Sequence, residues 1–336
     1  MGPRVDVLCR VAGTRALTLR ALLHRLPEPV RALWFLFRRH ARAFLDRPAE
    51  SAHLALLKPF LWAKVARGRS RYRIVAPSDA RAARRSDTVF VFGSGYSLND
   101  VTAETWAHFA EHDTFGFSGF VFQRWIRTDF HLIRGWDYGG PGSSRRWFVS
   151  HRAYADEIRV NAHYANTIFI VQDEYSAVAG RTIVGYRLLH EGASVLPYRT
   201  ALKTRALPSE AFAEGLCHAN GTLSDVVNAA YLFGWRHIVL VGVDLYDSRY
   251  FWGPPDATLV FDDRGRMVPS ERAIRGHAWN ERHNTAANGV VELMRTWREW
   301  LAVRGVQLSV HDRRSLLANV LPLYAGAARQ TSAVIR

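Results

Sequence analysis

Short apolar runs alternate with amphipathic stretches along most of this chain. Thr88-Val-Phe-Val-Phe92 is five residues of β-branched or aromatic type, the composition of a buried strand. Gly93 and Gly95 break the run. Ser97, Asn99 and Asp100 follow as turn and N-cap types, and helical spacing runs from Val101 through Trp106 and Phe109. The alternation then repeats. A strand is predicted from Asp113 to a close in small residues, Ser118 and Gly119, and others over 129–133 (ending at Arg134), 167–171, 236–246 and 306–311. Helical spacing is read over 144–159. It returns after Asn220, where Val226, Val227, Ala230, Tyr231 and Leu232 lead to Gly234, and again after Thr285 through Val290, Leu293, Met294, Trp297 and Leu301. Residues 175–217, with Pro197 and Pro208, give no assignable pattern and are read as a lid or an acceptor-facing insertion. Strands separated by helices predict an α/β protein: a Rossmann-like, doubly wound, mostly parallel sheet.

That architecture says where chemistry belongs. Open α/β sheets bind ligands beyond the carboxyl ends of their strands, where glycines admit a close approach and helix N-termini present unpaired N–H groups. Two stretches fit. One is Gly93-Ser94-Gly95 with Ser97. The other is Asn220-Gly221-Thr222, followed by a strand ending in Asp244 and Tyr246. The first lacks the third glycine of a dinucleotide fingerprint and the Lys-Ser/Thr of a P-loop. Tyr250-Phe-Trp252 forms an aromatic loop that either covers the core edge or presents a phenol to a phosphate. His283 heads the helix that begins at Asn284-Thr285, a position that favours the neutral imidazole of a general base; His277 competes for the same role, and a plain capping role for His283 or Asn284 stays open. Asp262-Asp263 reads as a solvated hairpin tip. No Asp-x-Asp motif and no Cys/His cluster with zinc spacing is found, so no metal site is expected.

Charge changes the picture at one end only. The chain has 336 residues and a net charge of +15. Residues 1–85 carry 19 Lys and Arg against 5 Asp and Glu, a net of +14, which leaves the body near neutral. A nucleic-acid-binding core would carry the charge on the body, so no nucleic-acid partner is expected. In the extension, leucines, Trp34, Phe35, Phe37, Phe60 and Trp62 are interleaved with arginines and lysines. No run approaches the roughly 18–20 apolar residues of a spanning helix. Basic, aromatic, amphipathic helices suit an anionic membrane surface, with a helical subdomain packed on the body as the alternative. Residues 1–86 are thus read as a basic amphipathic helical extension and polar linker, 87–325 as the Rossmann-like catalytic domain and 326–336 as a tail. Cys9 and Cys217, far apart, suggest no disulfide framework and a reducing cytoplasm.

Taken in order, Gly93-Ser-Gly-Tyr-Ser-Leu98, Gly221-Thr222, Ile238-Val-Leu-Val-Gly-Val-Asp-Leu-Tyr246, His283-Asn-Thr285 and Ser315-Leu-Leu-Ala-Asn319 resemble the bacterial sialyltransferases of glycosyltransferase family 42, over roughly residues 88–324. The resemblance implies a Rossmann-like fold, a CMP-sugar donor and an inverting transfer to a glycan hydroxyl, with no required cofactor and Mg2+ at most an activator. It places Gly93, Ser94, Gly95 and Ser97 against the nucleotide, with Ser118 and Arg134 nearby. Asn220, Gly221 and Thr222 fall near the donor and Asp244 near the ribose or base. Tyr246 and Tyr250 serve the phosphate, and His283 is the base. The family has Asn at the positions of Ser94, Ser118 and Arg134, and its Arg before the Thr-Ser pair has no counterpart at Ala219-Asn220. The surface-polysaccharide or lipid-linked glycan setting implied would put the enzyme in the cytoplasm, peripheral on the inner membrane through residues 1–85. The chain also resembles, over the glycine turn and the Gly-x-Asp strand, the 6-hydroxymethylpterin pyrophosphokinase-like proteins, which include motility-associated glycosylation factors. A diphosphotransferase of that kind, or a non-catalytic nucleotide-binding protein, are the rival expectations.

Overall fold

The computed structural model describes residues 71–134, 156–172, 189–201, 206–246, 249–252, 259–261, 267–269 and 284–326. Most of the basic extension, the C-terminal tail, His277 and His283 lie outside the described residues. The frame is one eight-stranded sheet. Its strands are β1 (Arg73–Ile74), β2 (Thr88–Phe92), β3 (Asp113–Phe117), β4 (Phe130–Ile133), β5 (Ile168–Gln172), β6 (Ser194–Tyr198), β7 (His237–Val241) and β10 (Gln307–Val310). They run in the order β1-β6-β5-β4-β3-β2-β7-β10, and every neighbouring pair is parallel. The fold is therefore α/β and Rossmann-like. A separate antiparallel pair joins β8 (Leu259–Phe261) and β9 (Met267–Pro269); Asp262-Asp263, expected as a hairpin tip, lies outside the described residues.

The apolar runs show no inside-outside alternation because both faces of the sheet are covered. One face sends Val89, Val91, Phe115, Phe130, Ile170, Ile238, Leu240 and Leu308 into a core closed by α3 (Thr222–Phe233) and α5 (Val290–Ala302). On the other face Phe90, Phe92, Val239 and Val241 pack with Trp106 and Phe109 of α2 (Ala103–Ala110). Gly234 ends α3 in the left-handed conformation, φ 91°, as its position after the last apolar residue predicts.

Three sequence expectations are corrected here. First, the glycine turn does not open directly into an α-helix. It enters a 3₁₀ turn, Tyr96–Asp100, and α2 begins only at Ala103, capped by Thr102 rather than Ser97, Asn99 or Asp100; the Thr102 hydroxyl accepts from the Thr105 N–H at 3.2 Å. Second, the sheet begins upstream of Asp87. β1 pairs with β6, and α1 (Pro77–Ala82) follows it, so residues 71–86 are not a linker. Their core contribution is only Tyr72, Val75 and Ala80, too few apolar positions to show against five arginines. Third, β6 lies within the stretch that gave no pattern. Pro197 disguised it. It is tolerated because β1 pairs only with Ser194 and Val195, so β6 has no β1 partner at Pro197, where no N–H is then missed. Among the described residues no helix is long and apolar enough to cross a membrane.

Candidate functional site

The strand order reverses at β2: the chain proceeds from β2 to β3, β4 and β5 on one side, then returns to place β7 and β10 on the other. The crevice beyond the carboxyl ends of β2 and β7 is the switch point at which open α/β sheets hold ligands. Three non-glycine residues among those described have positive φ, and all three stand beside this edge: Ser118 (φ 50°) after β3, Asn220 (φ 59°) before α3 and Leu245 (φ 62°) after β7. Left-handed backbone costs about 1–2 kcal/mol for a residue such as Ser118 or Leu245, whereas asparagine adopts it more readily. Such strain gathers where a site is held in a required shape.

The glycine turn is built against β7. Gly93 N–H donates to the Val241 carbonyl at 2.8 Å and Gly95 N–H to the Gly242 carbonyl at 2.7 Å. Both amides are thus spent on the protein, and the glycines serve a close approach of two backbones. A Cβ on Gly93 would lie 2.5 Å from the Gly242 oxygen, and one on Gly95 would lie 2.4 Å from the Asp244 carboxylate. Asp244, 3% exposed, accepts from the Ser97 N–H at 2.9 Å and from the Ser97 hydroxyl at 2.5 Å. The anion position at the start of the 3₁₀ turn is therefore filled by an internal carboxylate. Ser97 meets Asp244, as placing both at one edge implied, but the contact closes the loop between β2 and β7.

The Tyr250 loop folds onto this turn. Tyr250 bridges Gly95 as an antiparallel pair, Phe251 N–H donates to the Ser94 carbonyl at 3.2 Å, and Asn99 Nδ2 donates to the Phe251 carbonyl at 3.0 Å. The Tyr250 ring stacks on Trp252 at 4.6 Å, and Trp252 in turn lies over Gly119, where no Cβ would fit. Burial pushes the Tyr250 phenol pKa upward, so it stays a proton donor at neutral pH. Arg249 places its guanidinium 4.0 Å from the centre of the Tyr96 ring. Tyr246 is half-buried at the end of the β7 loop.

A second group centres on Asp225, wholly buried in the first turn of α3. Arg134, just past β4, donates through Nη1 to Oδ1 at 2.9 Å; His218 Nδ1 lies 2.6 Å from Oδ2; the Tyr198 hydroxyl, at the end of β6, lies 3.5 Å from Oδ1. A buried carboxylate requires such partners. Asn220, Gly221 and Thr222 form the turn just before it, with Asn220 exposed and Thr222 half-buried. Gly221 caps α3 without a side chain, and Thr285 of the short α4 (Asn284–Ala287) packs so closely that a Cβ on Gly221 would meet its methyl at 3.0 Å.

Beneath Ser118 lies His131, wholly buried on β4 and hydrogen-bonded to the Ser118 backbone. Its Nδ1 has no partner among the described residues. Burial pulls its pKa down from 6.5 to about 3. The native ring stays neutral while an unfolded chain would take up a proton below about pH 6.5. Stability should therefore fall as pH drops from 6.5 toward 3, at up to about 1.4 kcal/mol per unit. His131→Gln should flatten that slope in urea unfolding measured from pH 7 to 4; an unchanged slope would show that the ring takes a proton in the native state.

Of the residues expected from sequence, Gly93, Ser94, Gly95, Ser97, Asp244 and Tyr250 meet at β2 and β7. Tyr246 stands on the same β7 loop. Asn220, Gly221, Thr222 and Arg134 gather around α3, and Ser118 stands exposed at the end of β3, the strand between β2 and β4. Arg134 is engaged by Asp225. Sequence reasoning missed His218 and Asp225. Their signal was present: a charged residue among Leu223, Val226 and Val227, on a face otherwise destined for the core, needs a partner.

No protein-family profile and no curated protein matches this chain. Among solved structures, it is similar to the crystal structure of the monofunctional alpha-2,3-sialyltransferase Cst-I from Campylobacter jejuni, with 12% identity, 76% of this chain and 83% of that chain covered, and a TM-score of 0.39. A likeness this slight says nothing of activity.

Proposed function

We propose that this chain is a glycosyltransferase that moves a sugar of sialic acid type from a nucleotide donor, CMP-linked, to a glycan hydroxyl in surface-polysaccharide or lipid-linked glycan synthesis. One observation supports it most: left-handed residues at Ser118, Asn220 and Leu245 follow β3, precede α3 and follow β7, along the carboxyl edge of a sheet that also carries a buried tyrosine and a carboxylate–imidazole pair. The nucleotide would lie across the ends of β2 and β3 against Ser94 and Ser118. Its phosphate would face Thr222 and the phenols of Tyr246 and Tyr250. As the acceptor oxygen attacks the anomeric carbon, a histidine takes its proton, and the bond to phosphate breaks with the electron pair leaving on the nucleotide.

His283 fills the proton-acceptor role by its place before Asn284-Thr285. The Asp225 contact favours a second reading, His218: Asp225 holds one ring nitrogen, and the other has no partner among the described residues. A carboxylate that fixes the tautomer of an imidazole is how a general base is oriented.

Thermal-shift measurements with CMP-sugars, UDP-sugars and ATP test the donor class, since a ligand that favours the folded state raises stability. A CMP-sugar should raise the melting temperature and be consumed. ATP acting alone would replace this reading with a diphosphotransferase, and binding without turnover would leave a nucleotide-binding protein. With the donor identified, His283→Ala and His218→Ala separate the two histidines: loss of the base should slow transfer by about 10²–10⁴-fold.

A further inference from the structure

The sequence offered no metal motif, yet the fold brings three ligating side chains together on the opposite side of the chain's chemistry. His108 stands in the last turn of α2, Glu111 is the residue that caps it, and His112 follows immediately. One ligand atom from each lies within 4.8 Å of the others. α2 runs back toward the start of β3, so the trio is toward the amino ends of the strands, away from the switch-point crevice.

The surroundings hold both rings in place. His108 Nε2 lies 3.1 Å from the Tyr324 hydroxyl, and His112 Nδ1 lies 3.0 Å from the Ser86 hydroxyl. The Ser86 oxygen also accepts from the Thr88 N–H at 2.9 Å, which anchors it to β2. Phe90 meets both imidazoles edge-on, at 5.8 and 5.6 Å between ring centres. Each ring therefore has one nitrogen tied to a hydroxyl and its plane set by an aromatic wall. The remaining nitrogens are His108 Nδ1 and His112 Nε2. His108 Nδ1 stands 3.4 Å from a Glu111 carboxylate oxygen. A neutral imidazole carrying its hydrogen on Nδ1 would donate to that oxygen, and a metal ion would take the place of that hydrogen. Outer hydroxyls that hold the second nitrogen of each histidine are a regular part of metal sites. The nearby positive charge, Arg85, is already neutralised by Asp113 and Asp129.

We infer that His108, Glu111 and His112 form a binding site for a divalent late-transition metal, zinc in the first instance. Two imidazoles and one carboxylate with a water in the fourth position are a zinc donor set. Bonds of about 2.0–2.2 Å require the ligand atoms to close to roughly 3.5 Å of one another. The Glu111 side chain, 72% exposed, has room to rotate toward the two rings. A bound ion would tie the end of α2, through Ser86, to the entry of β2 and, through Tyr324, to the segment after β10.

Chelator-treated full-length protein, titrated with zinc chloride in a calorimeter and followed by thermal shift, tests the site. Wild type should take up zinc and melt at a higher temperature. His112→Gln and His108→Gln should each weaken that uptake by at least about tenfold, and Tyr324→Phe by about tenfold through loss of the outer hydroxyl. These side chains are at the surface or its edge, and unchanged circular dichroism will confirm that the variants fold. Absence of zinc uptake by wild type would overturn the inference. So would uptake that survives in the His108→Gln, His112→Gln double variant, since the zinc would then be held elsewhere.

Discussion

Asp225→Ala should destabilise the protein by about 3–5 kcal/mol in urea unfolding, the cost of stripping one partner from a buried ion pair. The carboxylate is wholly buried and holds Arg134 and His218 at once, with the Tyr198 hydroxyl at the edge of contact. Removing it leaves the Arg134 guanidinium, 21% exposed, without its counter-charge. The change also releases α3 from three neighbours: the end of β4, the end of β6 and the turn before α3. Asp225→Asn, which keeps a hydrogen-bond acceptor but not the charge, should cost less. If Asp225→Ala costs under about 1 kcal/mol, the network does not clamp α3 to the sheet. That result would also remove the orienting partner on which a role for His218 depends.

The second large effect is expected at the glycine turn, and its two glycines should fail differently. In Gly93→Ala the new methyl meets the Gly242 carbonyl oxygen at 2.5 Å and the Val243 side chain at 3.0 Å. The oxygen is backbone, and it already accepts from Gly95 N–H. The strand ends must therefore move apart, with an overpacking cost of about 1–3 kcal/mol. In Gly95→Ala the methyl meets the Asp244 carboxylate, a side chain that can swing away, but only by giving up its two hydrogen bonds to Ser97. Gly93→Ala should thus lower the unfolding midpoint more, whereas Gly95→Ala should mainly loosen the β2 loop and weaken nucleotide binding. Unfolding midpoints and nucleotide thermal shifts for the pair decide this. Equal, small effects would show that the β2–β7 approach tolerates a side chain.

Most strands were legible before any coordinates because both faces of the sheet are buried. Thr88–Phe92, Phe130–Ile133, Ile168–Gln172 and His237–Val241 each carry enough apolar side chains for two cores, and no polar alternation confuses them. The turns that close these strands are equally legible, since glycine punctuates the ends of β2 and β7. The elements that stayed hidden contribute little apolar surface of their own. β1 is two residues long, and β6 carries a proline that only a missing neighbour permits.

By itself the sequence determined the class of fold and the parallel winding, and it pointed to one edge of the sheet as the place to look for a ligand, because strand composition and glycine position are local properties. Which groups are available at that edge is not local. Ser97 and Asp244 are 147 positions apart and Arg134 and Asp225 are 91 apart, and only the packed sheet reveals that each pair satisfies itself. Even His108, Glu111 and His112, adjacent in sequence, become a metal-binding candidate only when Ser86 and Tyr324 arrive from elsewhere to hold the rings. Hydrophobic pattern fixes where a chain is buried. Polar pairing, which decides what a site can do, depends on which distant segments the burial brings into contact.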